Sequence, residues 1–142
     1  MFSYHGFIEI YDIYDICDDL YFNTLSEVRH THGEEIQKWV NEWLTDSSFP
    51  GRGSGLADMR CINGSQVVTI NGCRNHENGV IAKLVDFYRT VSEKAPGSFG
   101  LLYVRDGESS DESNEYQVYV MAKGRVEKRK DFYLSPCTPT IE

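Results

Sequence analysis

The pair Asn63-Gly64 constrains this chain more than any other feature. It lies between two segments, 57–62 and 65–71, in which apolar and polar residues largely alternate. Asn-Gly suits a two-residue type I′ turn, because both turn positions need positive φ. Such a turn sets the pairing: Ile62 opposite Ser65, Cys61 opposite Gln66, Met59 opposite Val68, Ala57 opposite Ile70. One face of the hairpin then collects Ala57, Met59, Cys61, Val68 and Ile70. The other holds Asp58, Arg60 and Thr69, with Val67 the exception. The same register places Cys73 seven residues beyond Gln66, roughly 23 Å at strand rise, so a Cys61–Cys73 disulfide is not expected.

The remaining segments read outward from that hairpin. Residues 2–11 alternate, with Phe2, Tyr4, Ile8 and Ile10 on one face and Ser3, His5, Phe7 and Glu9 on the other, which predicts a strand. Gly6 inside it marks a bulge or a close backbone approach. Residues 12–23 are acidic and aromatic and fit either an irregular loop or the first turn of a helix. Thr24 and Glu27 have capping-box spacing. Leu25, Val28, His32, Ile36, Trp39, Val40 and Trp43 follow at helical intervals, and the helix is expected to end near Asp46. Residues 47–55 read as a loop, and 72–79 as a turn-rich connection.

A second helix begins at Asn78 or Gly79, with Val80, Ile81, Leu84, Val85, Tyr88 and Val91 as its stripe. It stops at Ala95-Pro96-Gly97. Strands follow at 101–105, 116–122 and 125–132, the last a basic edge strand, with an acidic loop at 106–115 and a turn at Lys123-Gly124. Residues 134–142 read as an extended tail. The order is β-α-β-β-α-β-β-β, without internal repeats. It predicts an α+β, two-layer sandwich: a mainly antiparallel sheet with two helices on one face, in one domain spanning 1–142.

Charge narrows the function. A formal net charge of −8 argues against direct nucleic-acid binding, which needs a basic footprint, and favours a basic partner. The amino-terminal residues lack the basic-then-apolar pattern of a signal peptide, and no segment has the length of a membrane span. A cytoplasmic location is therefore expected. In that reducing setting Cys17, Cys61, Cys73 and Cys137 are expected as free thiols behaving like small apolar residues.

Catalytic signatures are weak. No C-x-x-C pair exists, and His30 and His32 are too close for a helical zinc motif, so no metal or other cofactor is expected. Gly51-Arg52-Gly53-Ser54-Gly55 lacks both the Lys-Ser/Thr end of a phosphate loop and the spacing of a nucleophile elbow. The carboxylates cluster in segments that read as exposed and mobile. The one cluster with some catalytic character is His76 with Cys73 or Glu77.

Four blocks resemble a known family. They are Tyr4-His5-Gly6-Phe7, with Phe7 where the family usually has Trp, Asn75-His76, the run from Ala95 to Asp106, and the run from Asp131 to Pro139. Spread from first residues to last, they are similar to immunity protein 7, found beside bacterial polymorphic and contact-dependent toxins. The resemblance implies an antitoxin that acts by protein–protein contact and carries no catalytic set. It also implies a cognate toxin as partner. Many such toxins are nucleases, whose substrate groove must be basic to hold phosphates.

An acidic chain can occupy that groove. The expected contacts are Asp12, Asp15, Asp18 and Asp19 with the aromatics Tyr14, Tyr21 and Phe22, and the loop carboxylates Asp106, Glu108, Asp111, Glu112 and Glu115. The competing readings are a small enzyme centred on His76 and a structural adaptor without a toxin.

Overall fold

The computed structural model describes residues 1–11, 22–50 and 55–139, and within the first helix it describes side chains from Glu34 onward. The elements are β1 (Phe2–Ile10), α1 (Phe22–Thr45), β2 (Gly55–Ile62), β3 (Ser65–Arg74), α2 (Val80–Lys94), β4 (Phe99–Asp106), β5 (Gln117–Ala122) and β6 (Arg125–Lys130). All six strands join one antiparallel sheet in the order β2-β3-β1-β4-β5-β6. The first strand of the chain thus lies inside the sheet, and β2 and β6 form its edges. This is the α+β sandwich that the alternation and the two helical stripes predict.

The hairpin register is the expected one, from Ile62↔Ser65 to Ala57↔Ile70. Asn63 and Gly64 take φ of 52° and 87°, as a type I′ turn requires. Lys123 and Gly124 repeat the device between β5 and β6, with φ of 55° and 73°.

One face of the sheet is sealed by the helices. Phe2, Tyr4 and Ile8 of β1 share that face with Val68 and Ile70 of β3, Leu102 and Val104 of β4, and Met121 of β5. Against them α1 packs Ile36, Val40 and Leu44, and α2 packs Val80, Leu84, Phe87, Tyr88 and Val91. On β5 it is Tyr119 and Met121 that face the helices, while Val118 and Val120 point to the other face.

Two glycines let the layers close. At Gly6 a Cβ would stand 2.3 Å from Tyr88 Oη and 2.8 Å from the Leu101 carbonyl oxygen. Tyr88 uses that gap to donate a 2.9 Å hydrogen bond from α2 to Leu101 O, and burial pushes its phenol pKa up. Gly6 is therefore a close approach and not a bulge, since the β1 ladders run through it unbroken. Gly72 does the same for Tyr4, whose ring would meet a Cβ there at 2.1–2.7 Å.

Several boundaries differ from the sequence reading. The helix α1 begins at Phe22, so Thr24 lies inside it and not at its amino end. Once a helix is nucleated each further residue adds a hydrogen bond, and it runs past a local cap signal when no proline stops it. Strand β3 continues to Arg74 because β1 supplies ladder partners for Gly72, Cys73 and Arg74. Strand β6 ends at Lys130, so Phe132 is outside it. Cys61, Cys73 and Cys137 are free, but Cys61 and Cys73 are exposed and do not act as core residues. Cys61 shares a face with Val68 but sits at the hairpin tip, beyond the helical layer.

Candidate partner-binding site

Asp106 closes β4 opposite Phe2, at one end of the sheet. The acidic loop that follows is tied together internally. Gly107 N donates to Met1 O at 3.0 Å, and Asp106 Oδ1 accepts from Glu108 N at 3.0 Å. Both oxygens of Glu108 lie 3.0 Å from His76 Nδ1. Because a carboxylate only accepts, Nδ1 carries the proton there. The hydrogen bond from His76 holds the Glu108 carboxyl below the usual glutamate range.

Further along, Glu112 N reaches Ser109 Oγ at 3.3 Å, and the Glu112 carboxylate pairs with Lys128 at 3.6 Å. The Arg105 guanidinium donates from Nε to Ser113 O at 3.3 Å. Of the five expected loop contacts, Asp106, Glu108 and Glu112 are thus engaged within the chain. Asp111 and Glu115 are exposed. The loop is tied to Met1, His76, Arg105 and Lys128, while Asp111 and Glu115 stay exposed as its composition suggests.

The other expected cluster, Asp12, Tyr14, Asp15, Asp18, Asp19 and Tyr21, lies outside the described residues. Phe22 opens α1 and its side chain is likewise outside them. The chain enters that segment from Tyr11, whose ring stacks on Phe99 at 5.8 Å and whose hydroxyl meets Ser65 Oγ at 3.1 Å. Ile10 pairs with Gln66, at the end of β1 opposite to the Phe2↔Asp106 pair. The points where the chain enters the two acidic segments are therefore about 27 Å apart along the strand.

Sequence reasoning missed a third feature beside the loop. After β6 the chain turns at Asp131, a carboxylate only 8% exposed. Its oxygens accept from Tyr133 N at 3.1 Å, Leu134 N at 2.8 Å and Ser135 Oγ at 2.9 Å. Burial works to raise the Asp131 pKa, but these hydrogen bonds outweigh it and hold the carboxyl below the usual aspartate range.

The stretch after the turn is pinned to the acidic loop. Tyr116 N donates to Ser135 Oγ at 2.9 Å, Cys137 N to Asn114 O at 2.8 Å, and Thr138 N to Asn114 Oδ1 at 2.7 Å. The turn leaves Phe132, Tyr133 and Leu134 exposed at 82%, 90% and 54%. The available sequence signal was an Asp immediately before three large apolar residues and a Ser-Pro. It reads as strand until the burial of Asp131 is known.

Of the residues read as an enzymatic centre, Glu77 and His76 have other partners, while Cys73 is a free, exposed thiol. Glu77 accepts from Gly79 N at 2.8 Å and from Ile81 N at 2.7 Å, so its carboxylate serves the amino end of α2. His76 pairs with the exposed Glu108, and Cys73 stands on β3 opposite Ser3. No group of three or more His, Cys, Asp or Glu side chains suited to a metal occurs among the described residues. No helix among them is long and apolar enough to cross a membrane.

This end of the molecule offers ordered charge and exposed aromatic surface, the material of a protein interface. Searches of curated proteins and of solved structures find no match. The family model described as Immunity protein 7 matches residues 1–142, the whole length, and the chain belongs to that family.

Proposed function

We propose that this chain neutralises a cognate toxin by stoichiometric binding, without turnover, and that the complex covers the toxin's active site or substrate groove. The match of the whole chain to an immunity-protein family is the observation that carries this reading. The toxin has a basic face and is a nuclease. A net charge of −8 and the exposed carboxylates Asp111 and Glu115 support that part. Protection takes place in the cytoplasm, where the toxin would reach its target. Lasting protection requires slow release, hence a dissociation constant of about nanomolar or below.

The test begins with the product of the adjacent toxin gene, co-purified with this chain and then freed from it by denaturation and refolding. The freed protein is expected to degrade nucleic acid, and one equivalent of the immunity chain to stop it. Undiminished activity in the presence of excess chain would overturn the reading. Reversing Asp15, Asp18 and Asp19 to Lys in one variant, and Asp111 and Glu115 in another, separates the two acidic segments. Whichever variant loses affinity and salt dependence identifies the segment that meets the basic face.

A further inference from the structure

We propose that the turn Phe132–Leu134 is the anchor by which this chain grips its toxin. It enters an apolar pocket on the toxin that is edged by carboxylates on the side facing β6. This rests on the antitoxin reading above.

Single apolar side chains on a surface need no explanation, but three adjacent large ones form a patch. Here they stand on a backbone already fixed by Asp131 and by the contacts of Ser135 and Cys137 with residues 114–116. An aromatic side chain carried on an ordered turn loses little freedom on binding. Preordered aromatic anchors with a polar rim are where binding energy concentrates.

Charge identifies the kind of pocket. The six residues of β6 carry Arg125, Lys128, Arg129 and Lys130 against Glu127 alone, in a chain that is acidic as a whole. Glu127 pairs with Arg125 and Arg129, Glu112 pairs with Lys128, and exposed Lys130 stands just before the turn. Basic residues on an edge strand normally discourage association. Exposed Phe132, Tyr133 and Leu134 at its end defeat that purpose unless a partner covers them. A partner with carboxylates along the β6 flank satisfies both the charge and the apolar surface. Glu115, exposed next to Tyr116, adds one negative charge close to the turn.

The experiment measures binding of the adjacent toxin-gene product, freed as above, to wild type, to Phe132→Ala/Tyr133→Ala and to Lys130→Glu. Wild type is expected to bind tightly and the double variant at least ~100-fold more weakly, at an unchanged melting temperature. Lys130→Glu is expected to slow association and flatten its salt dependence. A double variant that binds within about threefold of wild type, while wild type binds and inhibits, overturns the anchor and leaves the antitoxin reading standing. Failure of wild type itself to bind removes both.

Two other occupants are read from the chain alone. A dimer in sedimentation, or flotation with phosphatidylglycerol vesicles, that the double variant abolishes would replace the toxin as the occupant and overturn the proposal. Should the double variant not fold, Tyr133→Ser, at a 90% exposed position, takes its place with an expected loss of at least ~10-fold.

Discussion

Tyr4 shows how one side chain can demand small residues on two neighbouring strands. Its ring crosses β3 over Gly72, approaches Gly55, the partner of Gly72 on β2, and donates a hydrogen bond from its hydroxyl to Pro50 O. An alanine at Gly72 would put its methyl carbon 2.1 Å from that hydroxyl and 2.2 Å from Cζ. The ring, which is fully buried, would have to move and break its hydrogen bond. Overpacking costs typically about 1–3 kcal/mol, and a buried acceptor left unpaired costs about 1–3 kcal/mol more. Gly72→Ala is expected to lose about 3 kcal/mol in urea unfolding, and Tyr4→Phe, which removes only the hydroxyl, about 1 kcal/mol. Equal losses from the two would mean that the ring does not need the glycine.

The Asp131 turn makes a prediction in pH. The folded state holds this carboxyl below the value near 3.9 of an unfolded aspartate. Its contribution to stability is therefore complete above about pH 5 and is lost as pH falls through the folded-state pKa. The melting temperature of wild type should exceed that of Asp131→Ala by a constant margin from pH 7 to about pH 5, and the margin should close on further acidification. A margin that grew toward acid would reverse the sign of the linkage.

At the scale of the elements, α2 joins the helical layer through one residue. Phe87 is fully buried and, besides its neighbour Tyr88, meets three aromatic rings from outside α2. Trp39 stacks on it at 5.9 Å, Trp43 lies at 5.3 Å and Phe49 meets it edge-on at 5.3 Å. Trp39 and Trp43 belong to α1 and Phe49 to the segment after it, so this residue locks the two helices together. Phe87→Ala is expected to cost about 3–5 kcal/mol, read as a lowered denaturant midpoint with an unchanged m-value.

The same elements show what is legible in a sequence. The β2–β3 register could be written down because turn chemistry fixes the pairing and alternation fixes the inward face, which takes Val68 and Ile70. Both helical stripes were visible, but Leu44 and Phe87 were missed. Each sits at the flank of its stripe, and only the packing of one helix on the other buries it. The start of α1 and the end of β3 were misplaced because they depend on propagation and on a partner strand, not on local residue types. For the site, the acidic loop was located, but its internal bonds to His76, Lys128 and Met1 depend on which chain ends meet. The Phe132–Leu134 turn was illegible for the same reason. Its exposure follows from the burial of Asp131, which nothing near it in the sequence reveals.

At the scale of the molecule, the chain enters one acidic segment after β1 and the other after β4, at points about 27 Å apart by strand rise. The carboxyl-terminal turn, the ordered loop and β6 share one end. A toxin seated there would bind the folded chain and not the unfolded one, since the turn exists only when Asp131 is buried beside residues 114–116. Mass action then stabilises the fold by RT ln(1 + [L]/Kd), about 4.1 kcal/mol at a thousandfold excess over Kd. For a chain of 142 residues this raises the melting temperature by on the order of 10 °C. The shift should grow with the logarithm of toxin concentration for wild type. For Phe132→Ala/Tyr133→Ala the same curve should be displaced to about 100-fold higher concentration. Amide exchange on the complex gives the location. Slowing at Tyr133, Leu134 and Tyr116, with the amides of Ile10 and Tyr11 unchanged, places the toxin on the carboxyl-terminal end. Slowing confined to Ile10 and Tyr11 would assign docking to the amino-terminal acidic segment.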